Sequence, residues 1–150
     1  MHMEKNKFMQ QAIKQAELAK SCDEVPVGAV IVKDCKIIAK AYNKRERKQN
    51  ALLHAEIIAI DKACKKLGSF RLNDCEMYVT LEPCPMCAGA IINARVGKVF
   101  FGAFDQKRGC AGSIYNLLAD PRFNHNPIVE GGIMQQECVK LLQDFFETKR

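Results

Sequence analysis

Cys75-Glu76-Met77-Tyr78-Val79-Thr80-Leu81-Glu82-Pro83-Cys84-Pro85-Met86-Cys87 is the stretch from which the fold can be read. Its first seven residues read as a strand, which runs straight into Glu82-Pro83-Cys84. Pro85 suits the first turn of a following helix, because the N–H it lacks has no intrahelical partner at that position. The spacing predicts that helix over Met86–Arg95. Cys84 and Cys87 therefore sit at a helix start, where unpaired N–H groups and a partial positive charge favour thiolates.

A second helix start lies upstream. Ile57, Ile58, Ile60, Ala63, Cys64 and Leu67 form an apolar face that Gly68 ends, and His54-Ala55-Glu56 opens it. His54, Cys84 and Cys87 supply one imidazole and two thiols. That is the three-ligand count of a catalytic zinc site, which keeps a fourth position for water. Glu56, two residues beyond His54, is then left to move protons. Singly, each piece has a plainer reading. A Cys-x-x-Cys pair can be a redox couple or half of a four-thiolate structural site, His54 an ordinary helix residue, and Glu56 a first-turn charge favoured by the helix dipole. Only their conjunction is specific.

Working outward, Phe8, Ala12, Ile13, Ala16 and Ala19 recur at spacings of three and four, predicting an amphipathic helix over residues 3–20. Val25–Val32 and Ile37–Tyr42 read as the strands of a hairpin, with Lys33-Asp34-Cys35-Lys36 as its turn. Asn43–Asn50, with Lys44, Arg45, Arg47 and Lys48 and no apolar period, reads as an exposed basic loop. Gly97–Phe104 is a predicted fourth strand, Cys110–Leu118 a short helix, Ile128–Glu130 a fifth strand and Met134–Lys149 a closing amphipathic helix. This order implies an α/β protein with a central mixed sheet covered by helices on both faces. With no repeat or linker, residues 1–150 are expected to form one domain.

Hydrophobic residues make up 48% of the chain and charged residues 27%, proportions that exclude disordered and collagen-like classes. Met1–Lys20 lacks a continuous apolar run, so neither a secretion signal nor a membrane span is expected, and the expected location is cytoplasmic. The remaining cysteines, Cys22, Cys35, Cys64, Cys75, Cys110 and Cys138, are expected to be buried thiols rather than a disulfide framework. Lys and Arg outnumber Asp and Glu 23 to 17, for a net charge of +6, a modest bias toward a polyanionic partner.

His-x-Glu followed by Pro-Cys-x-x-Cys is the signature of the zinc-dependent nucleobase deaminases. The chain resembles their bacterial branch of tRNA-specific adenosine deaminases along nearly its whole length. Glu24-Val25-Pro26-Val27-Gly28-Ala29-Val30, Tyr78–Cys84, Cys87-Ala88-Gly89-Ala90, Phe101-Gly102-Ala103-Phe104-Asp105, Gly112-Ser113 and Asn124-His125-Asn126 carry the likeness beyond the zinc motifs. The resemblance implies a three-layer α-β-α cytidine deaminase-like fold with a central five-stranded mixed sheet flanked by helices. It implies one zinc ion per subunit on His54, Cys84 and Cys87, with Glu56 as catalytic proton shuttle. The implied reaction is hydrolytic deamination of the wobble adenosine of a tRNA-Arg anticodon to inosine, through zinc-bound hydroxide, with release of ammonia.

Further roles follow by residue. Asn43 matches a purine-contacting asparagine, and the backbone near Ala55 and Pro83 matches the frame of the reacting base edge. Asp105, Lys107, Asn124, Phe145, Phe146 and Arg150 match regions that grip the anticodon stem-loop in a homodimer. Two readings compete: a deaminase of free guanine, cytosine or cytidine, and a zinc-stabilised RNA-binding protein without catalysis.

Overall fold

The computed structural model describes residues 2–149. Helix α1 (His2–Ser21) leads into a hairpin of β1 (Gly28–Lys33) and β2 (Lys36–Tyr42). A four-residue helix α2 (Arg45–Lys48) and α3 (Ala55–Leu67) precede β3 (Cys75–Leu81), α4 (Pro85–Ala94) and β4 (Lys98–Ala103). A 3₁₀ turn (Leu117–Ala119), β5 (Ile128–Gly131) and α5 (Gln135–Glu147) complete the chain. The strands form one sheet in the order β2-β1-β3-β4-β5. Pairing is antiparallel on the hairpin side and parallel from β3 to β5, which makes the sheet mixed, as expected.

Alternation along the strands decides which layer each residue joins. Ala29, Ile31, Met77, Val79, Val99 and Phe101 point to one face, against Ala59 and Ala63 of α3 and Ala88 and Ile91 of α4. Val30, Val32, Tyr78 and Phe100 point to the other, against Phe8, Met9 and Ala12 of α1 and Cys138 of α5. Each fully buried Ile, Val or Phe contributes roughly 1.5–3 kcal/mol. On the α1 side the approach is closest at Gly28, where a Cβ would lie 2.1 Å from the Ala12 carbonyl oxygen.

Four local expectations differ from the structure. Val25–Val27 precede the first strand instead of belonging to it, and the Val27 N–H turns back to the Val25 carbonyl at 2.8 Å. The basic segment holds a helical turn, α2, with no buried residue of its own; its support is the buried Glu24, whose carboxylate accepts the Glu46 and Arg47 N–H groups at 3.1 and 2.7 Å. Residues 110–118 are not an α-helix but turns closed by an Ala111–Asn116 bridge and running into the 3₁₀ turn. Gly112, at φ 140°, leaves the helical region and the Leu117 N–H bonds back to the Cys110 carbonyl at 3.0 Å, while Glu82 holds the Ala111 and Ser113 N–H groups on either side of that glycine. Among the six cysteines expected to be buried, Cys75, Cys110 and Cys138 are, whereas Cys22 and Cys64 are half-buried and Cys35, at the hairpin tip, is exposed.

The carboxyl ends of the parallel strands β3 and β4 lie together, with Leu81 opposite Ala103. Open α/β sheets bind ligands at that end of their strands, and the antiparallel hairpin brings the end of β2 to the same end of the sheet, with Gly28 opposite Tyr42.

Candidate metal centre and substrate pocket

His54 and Cys84 occupy equivalent places: each is the extended residue before a helix, His54 with φ −72° and ψ 153°, Cys84 with φ −75° and ψ 176°. Their carbonyls accept the first helical bonds, from Ile58 at 3.1 Å and Ala88 at 2.8 Å. Neither side chain caps its own helix. Instead His54 Nδ1 lies 3.6 Å from Cys84 Sγ and 3.5 Å from Cys87 Sγ. A nitrogen and a sulfur on adjacent corners of a tetrahedral zinc shell, at bond lengths of about 2.05 and 2.3 Å, stand roughly 3.6 Å apart. The observed separations fit that edge, and all three donor atoms lie within 4.8 Å of one another. The cluster can hold a metal ion.

The two thiols are shifted in opposite directions. The hydrogen bond from Cys87, aided by His54 and opposed by burial, pulls Cys84 down to about 3. The same bond, together with burial, pushes Cys87 up. Glu56, in the first turn of α3, is only 3% exposed. Burial raises its carboxyl to about 7, against a smaller lowering by its own backbone amide and His54. Its Oε1 has no hydrogen-bond partner among the described residues. A buried, partnerless carboxylate oxygen beside a donor triad costs stability unless something it can act on enters the site.

The pocket over this cluster encloses about 630 Å³, a size suited to a nucleoside. His54, Glu56 and Cys84 form part of its lining. Asn43 lies there too, buried, with Oδ1 accepting the Ala55 N–H at 2.8 Å, so its carbonyl is committed to fixing the α3 start. Ala55 thus has its N–H engaged, and the Pro83 carbonyl accepts the Cys110 N–H at 2.8 Å. Asp105, Lys107 and Phe146 also line the pocket. Phe145 is buried, packs edge-on against Phe146 and lines an adjoining cavity that shares Val25, Asn43 and Arg45 with the first. Asn124 is exposed and does not line the pocket, and Arg150 lies outside the described residues.

Arg45 of the basic segment, Glu82, Gln106 and Arg108 also line the pocket, and Glu24 braces it, though the sequence assigned none of them a place there. The available signal was a carboxylate abutting an apolar run: Glu24 before Val25-Pro26-Val27, and Glu82 after Tyr78-Val79-Thr80-Leu81. Such residues need an internal partner when buried.

The sequence profile of the MafB19-like deaminases matches residues 3–150. A tRNA-specific adenosine deaminase of Bacillus subtilis is 52% identical over 95% of this chain and 89% of its own. A solved structure from work on A-to-I editing by tRNA:A34 deaminases at the wobble position superposes with a TM-score of 0.88 and 40% identity, covering 91% of this chain and 99% of that one. The guanine deaminase structure from Bacillus subtilis superposes with a TM-score of 0.64 and 36% identity over 83% of both chains. The chain belongs to the MafB19-like deaminase family and, within it, groups with the tRNA-specific adenosine deaminases.

Proposed function

We propose that the protein hydrolytically deaminates the wobble adenosine of a tRNA anticodon to inosine. The observation that carries the chemistry is the partnerless Glu56 Oε1 beside the His54, Cys84 and Cys87 donors, with Glu56, His54 and Cys84 lining a nucleoside-sized pocket. The choice of RNA over a free base is supported by the identity to tRNA-specific relatives over nearly the full chain. A wobble base already lies in a single-stranded loop, so turning it into the pocket costs less than extrusion from a duplex.

His54 Nδ1 and the Cys84 and Cys87 sulfurs would hold zinc, one ion per subunit. When bound, zinc supplies the Lewis acidity that makes a water molecule a usable nucleophile near neutral pH. Glu56 Oε1 takes the proton released as that water adds to C6 of adenine and gives it to N1, then takes the proton of the new C6 hydroxyl and delivers it to the departing amine. Ammonia leaves and a C6 carbonyl remains, so adenosine and water balance to inosine and ammonia. Asn43, its carbonyl held by Ala55, keeps its amide nitrogen as the group available to the purine. Asp105, Lys107, Phe145 and Phe146 grip the flanking nucleotides, and the +6 charge favours the phosphates.

The proposal extends to residues 1–150 acting as one domain, to a cytoplasmic homodimer, and to the exposed Asn124 meeting RNA away from the pocket. No helix among the described residues is long and apolar enough to cross a membrane. Sedimentation of the purified protein tests the dimer. Zinc-loaded protein incubated with an anticodon stem-loop bearing wobble adenosine should yield inosine at that position. Absence of inosine together with turnover of free guanine, the reading favoured by the likeness to a guanine deaminase structure, would overturn the RNA assignment.

A further inference from the structure

Glu82 follows the last residue of β3 and precedes the Pro83-Cys84 pair, and it is 2% exposed with no Lys, Arg or His in an ion pair with it among the described residues. Its carboxylate instead collects four donors from one loop. Oε1 accepts the Asp105 N–H at 3.0 Å and the Ser113 hydroxyl; Oε2 accepts the Ala111 and Ser113 N–H groups at 3.0 and 2.9 Å. The loop is fitted to it. A Cβ at Gly109 would lie 2.3 Å from the Glu82 carboxyl carbon, so the chain passes over the carboxylate where only glycine leaves room. The Glu82 N–H and the Pro83 carbonyl add bonds to Ala103 and Cys110, at 2.9 and 2.8 Å.

Between the anchored ends at Asp105 and Ala111–Ser113 lie Gln106, Lys107 and Arg108, which form a wall of the pocket. Asp105 repeats the device at smaller scale: its own Oδ1 accepts the Lys107 and Arg108 N–H groups at 3.0 and 3.1 Å. A loop with three exposed polar residues at its crest and no apolar anchor there has few other means of holding one shape.

We propose that Glu82 is a positioning residue that fixes the 105–113 loop as the substrate-gripping wall of the pocket and sets its height relative to Cys84. It acts through Asp105, Lys107 and Arg108, touching neither metal nor base. The inference rests on the RNA-deaminase reading for the identity of the substrate, not for the anchoring itself. A carboxylate suits the task because it offers only acceptors, and the loop end presents only donors.

Glu82→Gln keeps the shape and turns one acceptor into a donor, setting it against the N–H of Asp105 or of Ala111 and Ser113. With the anticodon stem-loop, this variant should raise KM about tenfold, the scale expected for one mispaired buried hydrogen bond. Its kcat should stay within about threefold and its metal content should match wild type. Ser113→Ala, which removes one donor and leaves the carboxylate intact, should shift KM in the same direction by about threefold. Lys107→Ala should cost less KM in the Glu82→Gln background than in wild type, because the loosened wall no longer presents that lysine in register. An unchanged KM, a loss confined to kcat, or additive effects with Lys107→Ala would each overturn the positioning role. Amide exchange across residues 105–113 should quicken in Glu82→Gln, and unaltered protection there would overturn the anchoring. A wild-type protein that makes no inosine while Glu82→Gln still quickens exchange would sink the substrate reading and leave the anchor standing.

Discussion

The α3 start and the α4 start each put an extended residue, His54 or Cys84, just before the helix and turn its side chain away from the cap. They differ in what replaces the cap. At α4 the sequence removes the problem: Pro85 occupies the first helical position and has no N–H to satisfy. At α3 the first N–H belongs to Ala55 and is satisfied from outside, by Asn43 at the end of β2. One start is self-contained in four residues of sequence. The other depends on a strand twelve residues upstream, and it is the one that carries the partnerless Glu56. The two cysteine ligands, with local support, therefore face an imidazole and an acid whose shared helix is held by tertiary structure.

The most damaging way to break this pairing is at the sulfur shell. Cys87→Ala should lose the metal and turnover together, beyond the roughly 10–100-fold that loss of an outer-shell partner costs; full metal occupancy by elemental analysis would refute the ligand role. Glu56→Gln should keep the metal and lower kcat about 10²–10⁴-fold on the anticodon stem-loop, the range for a lost general acid–base. Unchanged turnover would remove Glu56 from the proton path. Asn43→Ala tests the borrowed cap directly: leaving the Ala55 N–H buried and unpaired should lower stability by about 1–3 kcal/mol in urea unfolding, and no change would mean that α3 starts without it. At the opposite end of α3, Lys65→Ala breaks an exposed ion pair with Asp61, of length 2.9 Å, and should change stability by no more than about 0.5 kcal/mol. A larger loss there would mean that α3 depends on both ends alike.

The same contrast explains what could be read from the sequence. The α4 start, its ligands and the strand before it were legible because strand, proline and cysteine spacing are adjacent, and β3 has the predicted bounds Cys75–Leu81. The His54–Glu56 half was legible through the regular apolar face that follows it. By contrast α2 was hidden, because it buries none of its own residues and hangs from Glu24, some twenty residues away. Residues 110–118 misled for the reciprocal reason: their local pattern permits a helix, but Glu82, about thirty residues upstream, holds the Ala111 and Ser113 N–H groups in a turn with Gly112 at φ 140° between them. Both surprises are buried carboxylates paired with backbone N–H groups. Hydrophobic periodicity carries no record of such bonds, since donors exist at every non-proline residue and only the fold selects which are used.

The hairpin tip holds a different kind of reserve. Asp34 and Cys35 both sit at positive φ, 51° and 61°, the twist that a two-residue connection between right-twisted strands requires. Aspartate tolerates that conformation, but cysteine gains nothing from it, and a side chain held there costs about 1 kcal/mol relative to glycine. Since Cys35 is exposed and remote from the pocket, the fold carries unspent stability at its far end. A single change to glycine would release it while removing an oxidisable surface thiol, giving the chain a margin with which to tolerate costlier substitutions around the site.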